Sequence, residues 1–119
     1  REFVKFFSME GIVSRLQFLN PAVVVREVEL ILMRYEKYYA LEMSGHVRLN
    51  LYMHIAFMFE RLMIAQDDYE EEQRELSEQE QEFYRISRIV FAEAEKKYRI
   101  SLAEYELSML YELFKRLIK

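Results

Sequence analysis

The chain has only two glycines and one proline among its 119 residues. Turn-rich β architectures need far more of both, because these residues supply the backbone conformations of tight turns. No segment shows the strict alternation of apolar and polar residues that a half-buried strand requires. Apolar residues instead recur at spacings of three and four, which is typical of amphipathic helices. The sequence therefore predicts an all-α fold, an antiparallel bundle of about five helices joined by short loops.

Capping residues and apolar spacing divide the first half of the chain. Loose helical spacing over residues 3–19 predicts an N-terminal helix or extension. Asn20-Pro21 then predicts a helix over about 21–41, because asparagine caps helix starts and proline is tolerated at the first helical position. Ser44-Gly45 interrupts it, and the next helix should cover about 47–66. The predicted inward positions of these two helices are Val24, Val28, Ile31, Leu32, Tyr35, Tyr39, Leu51, Ile55, Met58, Phe59 and Leu62.

Two further helices are predicted from capping boxes, in which a serine and a glutamate three residues later each satisfy an orphan backbone amide. The first box spans residues 77–80 and opens a helix that runs to about Tyr98. The second spans residues 101–104 and opens the last helix. The predicted inward residues are Phe83, Ile86, Val90, Phe91 and Ala94 in the first of these helices, and Leu102, Tyr105, Met109, Leu110, Leu113 and Leu117 in the second.

Length and composition limit the class of protein. Residues 1–119 are enough for one domain with its own core. Because the chain begins with Arg1 and not methionine, we expect it to be a fragment of a larger protein. It has no cysteine, which fits a reducing, cytoplasmic location. Its apolar runs are far shorter than the roughly 20 residues of a membrane span, and no signal peptide opens it.

Charge is unevenly distributed. Residues 66–82 contain nine acidic residues and one basic residue, a net charge of −8 that leaves +4 for the rest of the chain, whose total is −4. Such a run is typical of a solvated connection or helix start. Basic residues are scattered, whereas nucleic-acid binding needs them clustered. We therefore expect no direct contact with nucleic acid.

Signatures of common enzymes are missing. Two isolated glycines cannot form a phosphate-binding loop, and no Glu-x-x-His pair of a di-iron bundle occurs. Glu42 and His46 are four residues apart, but they straddle the Ser44-Gly45 break and have no convergent third ligand. No catalytic triad is recognisable. We expect no enzymatic activity, no metal and no cofactor.

His54 is one of only two histidines and lies within an otherwise apolar helical run. At 100° per residue, Asn50 and Arg61 fall within about 40° of it, while the predicted core face is centred roughly 90° away. His54 should therefore occupy a narrow polar strip at the edge of a large hydrophobic face. A neutral imidazole nitrogen can act as a nucleophile, and histidine titrates near physiological pH.

The residues around His54 resemble a known signature. The run Asn50-Leu51-Tyr52-x-His54-x-Ala56-x-Met58-x-Glu60-Arg61-Leu62 is similar to the first signature of the phosphotransferase-system regulation domain. Residues 95–107, with Tyr98 near a helix end and an acidic-apolar pair at Glu106-Leu107, resemble a later segment of that family. The similarity covers nearly the whole chain from about Asn20.

The resemblance implies a fold of antiparallel helices that acts as a regulatory module in bacterial transcription factors controlling sugar operons. It also implies that His54 accepts a phosphoryl group from the phosphocarrier protein HPr or from a sugar-specific EII component. Met53 stands where antiterminator members usually carry aspartate, which makes the chain more similar to sigma-54-dependent activators of the levanase-operon type. The family's later histidine corresponds to Leu113, so the resemblance implies one phosphorylation site.

The residues beside His54 could support a phosphoryl group. Arg61 could hold it bidentately, although the two lie about 10 Å apart along the axis and an arginine from a second subunit is an equal alternative. Asn50 could orient the imidazole or make an interhelical hydrogen bond. His46 is a minor candidate acceptor. Phosphorylation should shift a packing or homodimer equilibrium. The alternative function is a constitutive dimerisation or docking bundle without a covalent switch. Exposed Phe3, Phe6 and Phe7 would suit that alternative.

Overall fold

The fold is helical throughout the part of the chain that the structure describes. A computed structural model describes residues 20–64 and 75–118. Its elements, in chain order, are α1 (Pro21–Tyr39), α2 (Gly45–Ile64), α3 (Glu78–Val90), α4 (Ala92–Tyr98) and α5 (Glu104–Phe114). No strand occurs within those two ranges. The all-α prediction is confirmed, while the expected N-terminal helix over 1–19 lies outside the described residues.

Side-chain pairs show that α1 and α2 run antiparallel. Arg48, near the start of α2, bonds Glu36 in the later part of α1 at 2.6 Å and Glu29 in its middle at 2.7 Å. At the opposite end, Phe59 of α2 and Val24 near the start of α1 line the same cavity. The short connection between the helices therefore reverses the chain, as the sequence predicted.

Contacts of α3 place it antiparallel to α5. Gln79, at the start of α3, donates to the carbonyl of Ile118 at 3.1 Å. Arg88, near its end, donates to the carbonyl of Leu102 at 2.6 Å, just before α5 begins. The last helix therefore returns along α3, which closes the bundle.

An aromatic cluster joins α1, α3 and α5 in the core. The Tyr35 and Phe83 rings stack with their centroids 5.5 Å apart, and the Phe114 centroid lies 4.4 Å from that of Tyr35. The Tyr35 hydroxyl is satisfied by Ser87 Oγ at 2.6 Å, and burial raises the pKa of Tyr35 far above its usual value. All the predicted inward residues of α1 to α4 are buried except Tyr39, which is half-buried.

The helix bounds differ from the predictions by a few residues. Asn20 caps α1 as predicted, accepting from the Ala22 amide at 3.1 Å. α1 ends at Tyr39 because Ala40 adopts a left-handed conformation. α2 begins two residues early, with Ser44 Oγ accepting from the Val47 amide. The single helix predicted to end at Tyr98 is divided into α3 and α4 at a turn residue, Phe91.

The second predicted capping box is wrong. α5 begins at Glu104, and its N-cap residue, Ala103, is extended and makes no side-chain cap. Both backbone groups of Leu102 are bonded outside α5: its carbonyl accepts from Arg88 at 2.6 Å, and its amide donates to Glu95 Oε2 at 2.9 Å. Of the predicted inward residues, Leu102 and Leu110 are buried and Leu113 and Leu117 are half-buried, whereas Tyr105 and Met109 are exposed. Glu106, Leu107, Tyr111 and Phe114 are also buried.

The serines of the two predicted capping boxes, Ser77 and Ser101, provide a matched prediction. Ser77→Ala should destabilise the chain by about 1 kcal/mol, because Ser77 caps α3 in a complete capping box and loss of an N-cap typically has that effect. Ser101→Ala should change stability by less than about 0.5 kcal/mol, as is usual for an exposed surface position. Urea unfolding followed by circular dichroism measures both, and equal effects would contradict the assignment of the caps.

None of the described helices is both long and apolar enough to cross a lipid bilayer.

Candidate functional site

The face of α2 turned away from the core carries the candidate site. His54, Asn50 and Arg61 are all exposed. The predicted core face, centred roughly 90° from His54 around the helix, is buried, and it comprises Leu51, Ile55, Met58, Phe59 and Leu62. The helix therefore has the predicted orientation, and the imidazole of His54 is open to an approaching molecule.

Apolar side chains border the polar strip on the side away from the core. Leu49 is 59% exposed, and Met53 and Phe57 are half-buried. Helical spacing puts these three residues roughly 60–140° from His54, on the opposite side from the core face. His54 thus lies between the packed interior and an outer apolar surface.

Arg61 bonds a carboxylate on another helix. Its Nη2 lies 2.7 Å from Oε1 of Glu106 and its Nε lies 3.4 Å from Oε2. The side chain of Glu106 is only 1% exposed, whereas that of Arg61 is 43% exposed. One end of this ion pair is therefore buried and the other is at the surface, and the pair links α2 to the first turn of α5.

Glu106 is a residue that the sequence reasoning did not place in the site. Glu106 enters the predictions only through the family resemblance, because the apolar spacing placed Tyr105 and Met109 inward where Glu106 is in fact buried. The position of Glu106 in the sequence could have identified it. Glu106 lies three and four residues before Met109 and Leu110 and directly precedes Leu107. An acidic residue within such an apolar stripe indicates a buried carboxylate that needs a cation.

Asn50 and His46 are exposed residues on the same helix. His46 is the second residue of α2. Neither side chain hydrogen-bonds to a residue in the described part of the chain, so Asn50 does not orient the His54 ring in this structure. Within the two described ranges no group of three or more histidine, cysteine, aspartate or glutamate side chains could hold a metal ion.

Electrostatic contacts fix the other sides of α2 against α1. The carboxylates of Glu29 and Glu36, which bond Arg48, raise the pKa of its guanidinium. Burial, followed by the charge of Glu29, raises the pKa of Tyr52. A raised pKa keeps Arg48 cationic and Tyr52 neutral. The polar strip with His54 lies on another side of α2 and is exposed to solvent.

Comparisons with known proteins identify the family of the chain. The PRD domain family model matches residues 29–117, which include α2, Arg61 and Glu106. The chain is 24% identical over 111 residues to the transcriptional regulatory protein DagR of Salmonella typhimurium, covering 93% of this chain but 12% of that protein. No solved structure matches the chain significantly. On the strength of the family match, which spans most of the chain, the protein belongs to the PRD domain family.

Proposed function

We propose that the chain is the regulatory domain of a bacterial transcriptional regulator of sugar utilisation, switched by reversible phosphorylation of His54. The observation that carries the proposal is the exposure of His54 on a helix whose other face is packed. Membership of the PRD domain family and the printed name of the relative, a transcriptional regulatory protein, support a regulatory and non-enzymatic role.

The chemistry requires a neutral imidazole and an accessible nitrogen. The lone pair of a His54 ring nitrogen attacks the phosphorus of a phosphorylated donor protein. The bond between phosphorus and the donor breaks, and its electron pair stays with the donor. An imidazole at the surface permits this approach, which a sealed ring would prevent. We propose the phosphocarrier protein HPr or a sugar-specific EII component as the donor.

Phosphorylation would change the charge of the strip sharply. A phosphoryl group adds close to two negative charges and three strong acceptor oxygens. Beside Leu49, Met53 and Phe57, such a group cannot be covered by apolar surface without a cationic partner. We propose that these apolar residues belong to a homodimer interface whose equilibrium the phosphoryl group shifts, and that the full protein is a cytoplasmic, sigma-54-dependent activator.

Phosphate mapping tests the proposal. The chain is incubated with phosphoenolpyruvate, enzyme I and HPr, with or without EII components, and the acid-labile phosphate is located by mass spectrometry. We expect label on His54 and none in His54→Ala. His46→Ala is the matched control, since it removes the other exposed histidine of α2, and it should retain full labelling. Label that persists in His54→Ala would refute His54 as the acceptor.

The alternative is a constitutive dimerisation or docking module without a covalent switch. Its distinguishing feature would be a His54 ring enclosed by packing, whereas the ring is exposed. Phe3, Phe6 and Phe7, which favoured that alternative, lie outside the described residues. The exposed imidazole therefore favours the phosphorylation switch.

A further inference from the structure

The buried carboxylate of Glu106 depends on a cation that is itself at the surface. Glu106 lies in the first turn of α5, where the helix dipole also favours a negative charge. Its 2.7 Å bond with Arg61 is a charge-assisted contact in a region from which water is largely excluded. Removing the guanidinium would leave a desolvated negative charge, which is strongly unfavourable. The position of α5 is thus linked to the position of one arginine side chain.

Arg61 also lies on the same polar strip of α2 as His54. The two residues are seven positions apart, which corresponds to about 10 Å along the helix axis and about 20° around it. Side chains of an α-helix lean toward its N-terminus, so the long side chain of Arg61 leans toward the turn that carries His54. The Arg61 side chain is 43% exposed, so it can turn outward without first unpacking the core.

A phosphoryl group on His54 would compete with Glu106 for this guanidinium. The phosphoryl group offers about two charges and three oxygens, and arginine recognises phosphate bidentately. Glu106 offers one charge, and the second of its two hydrogen bonds with Arg61 is long, at 3.4 Å. We propose that Arg61 binds the phosphoryl group on His54 by leaving Glu106, so that the first turn of α5 is released. This inference rests on the proposed phosphorylation of His54.

The consequence is a defined route from the modified histidine to another helix. Once Arg61 leaves, the Glu106 carboxylate has to reach water or another cation, and this requires movement of residues 104–107. α5 packs on α3 through the Tyr111 and Phe83 rings, whose centroids are 5.6 Å apart. The charge change on α2 is thereby converted into a packing change in the C-terminal part of the bundle.

Hydrogen exchange of α5 tests the inference. The chain has two histidines, so His46→Gln leaves His54 as the single histidine. Phosphoramidate, a small-molecule phosphoryl donor, modifies this background without any donor protein. We expect phosphorylation to accelerate amide exchange in α5 by at least about tenfold, which is the lower limit expected from loss of one hydrogen bond to a charged group. Exchange in α1 should change much less.

Two variants of the first turn of α5 make the test specific. Glu106→Gln removes the buried charge and keeps the side-chain shape, so its α5 should exchange faster already and respond to phosphorylation less than about twofold. Glu104→Gln removes an exposed acidic residue of the same turn, and it should respond like the parent chain. Failure to find phosphate on His54 would overturn the proposed function. Phosphate on His54 without a change in α5, or with an equal change in Glu106→Gln, would overturn this inference alone.

Discussion

Phe83→Ala is expected to lower the free energy of unfolding by about 4 kcal/mol, within the range for truncating a buried aromatic residue. Phe83 is fully buried, and its ring lies 5.5 Å from Tyr35 on α1 and 5.4 Å from Phe114 on α5, between centroids. Its removal would leave a cavity where α1, α3 and α5 meet. The surrounding rings cannot fill this cavity without tilting away from their own contacts, so relaxation should be partial.

Urea unfolding monitored by far-UV circular dichroism measures the effect. Ile89→Ala is the control on the same helix, because Ile89 is among the most exposed large apolar residues and its truncation should cost less than about 1 kcal/mol. A loss below about 1.5 kcal/mol for Phe83→Ala, under the usual range for such a site, would show that the aromatic cluster is not the centre of the core.

Arg61→Leu is expected to destabilise the chain by about 3 kcal/mol, the lower part of the range for removing one partner of a buried ion pair. The lower part applies because the Arg61 side chain is 43% exposed, while the Glu106 side chain is buried. Lys115→Leu is the contrasting variant. Lys115 lies 2.8 Å from Glu112, nearly the same distance, but their side chains are 43% and 57% exposed. Lys115→Leu should lower the free energy of unfolding by less than about 1 kcal/mol, as is usual for surface ion pairs.

A double variant separates the charge effect from simple loss of packing. Arg61→Leu combined with Glu106→Leu removes the stranded carboxylate, so it should recover at least half of the stability lost by Arg61→Leu alone. Replacing both partners of a buried pair by apolar groups is often neutral. Thermal or urea unfolding of the two single variants and the double variant gives the coupling free energy directly. Additive losses would contradict the dependence of Glu106 on Arg61.

The helical class and most of the packed faces could be predicted from local pattern. Tyr35, Ile55 and Phe83 recur at helical spacing with other apolar residues, and their burial follows because each amphipathic helix has one face to cover. The cap at Asn20 and the capping box at Ser77 were equally readable, since both involve hydrogen bonds within a few residues of sequence. Ser101 matched the same pattern but does not cap a helix, because the Leu102 carbonyl is bonded by Arg88, 14 residues earlier in the chain, and not by an amide of α5.

In the candidate site, too, some features could be predicted from local sequence and others could not. The outward position of His54 follows from the 3.6-residue period of α2, which separates it from the face of Leu51 and Ile55. The partner of Arg61 does not follow from any period. Glu106 is 45 positions away, and only the tertiary fold, which places the first turn of α5 beside Arg61, brings the carboxylate to the guanidinium.

The residue order alone determined the helical architecture, the solvent-facing imidazole and the family resemblance, because each depends on periodicity or on a short run of neighbouring side chains. The tertiary structure alone decided where α5 begins, which of its faces is buried, and that Arg61 neutralises Glu106. Those features depend on contacts between distant segments. A buried carboxylate needs a cation beside it, and the fold decides which residue supplies that cation.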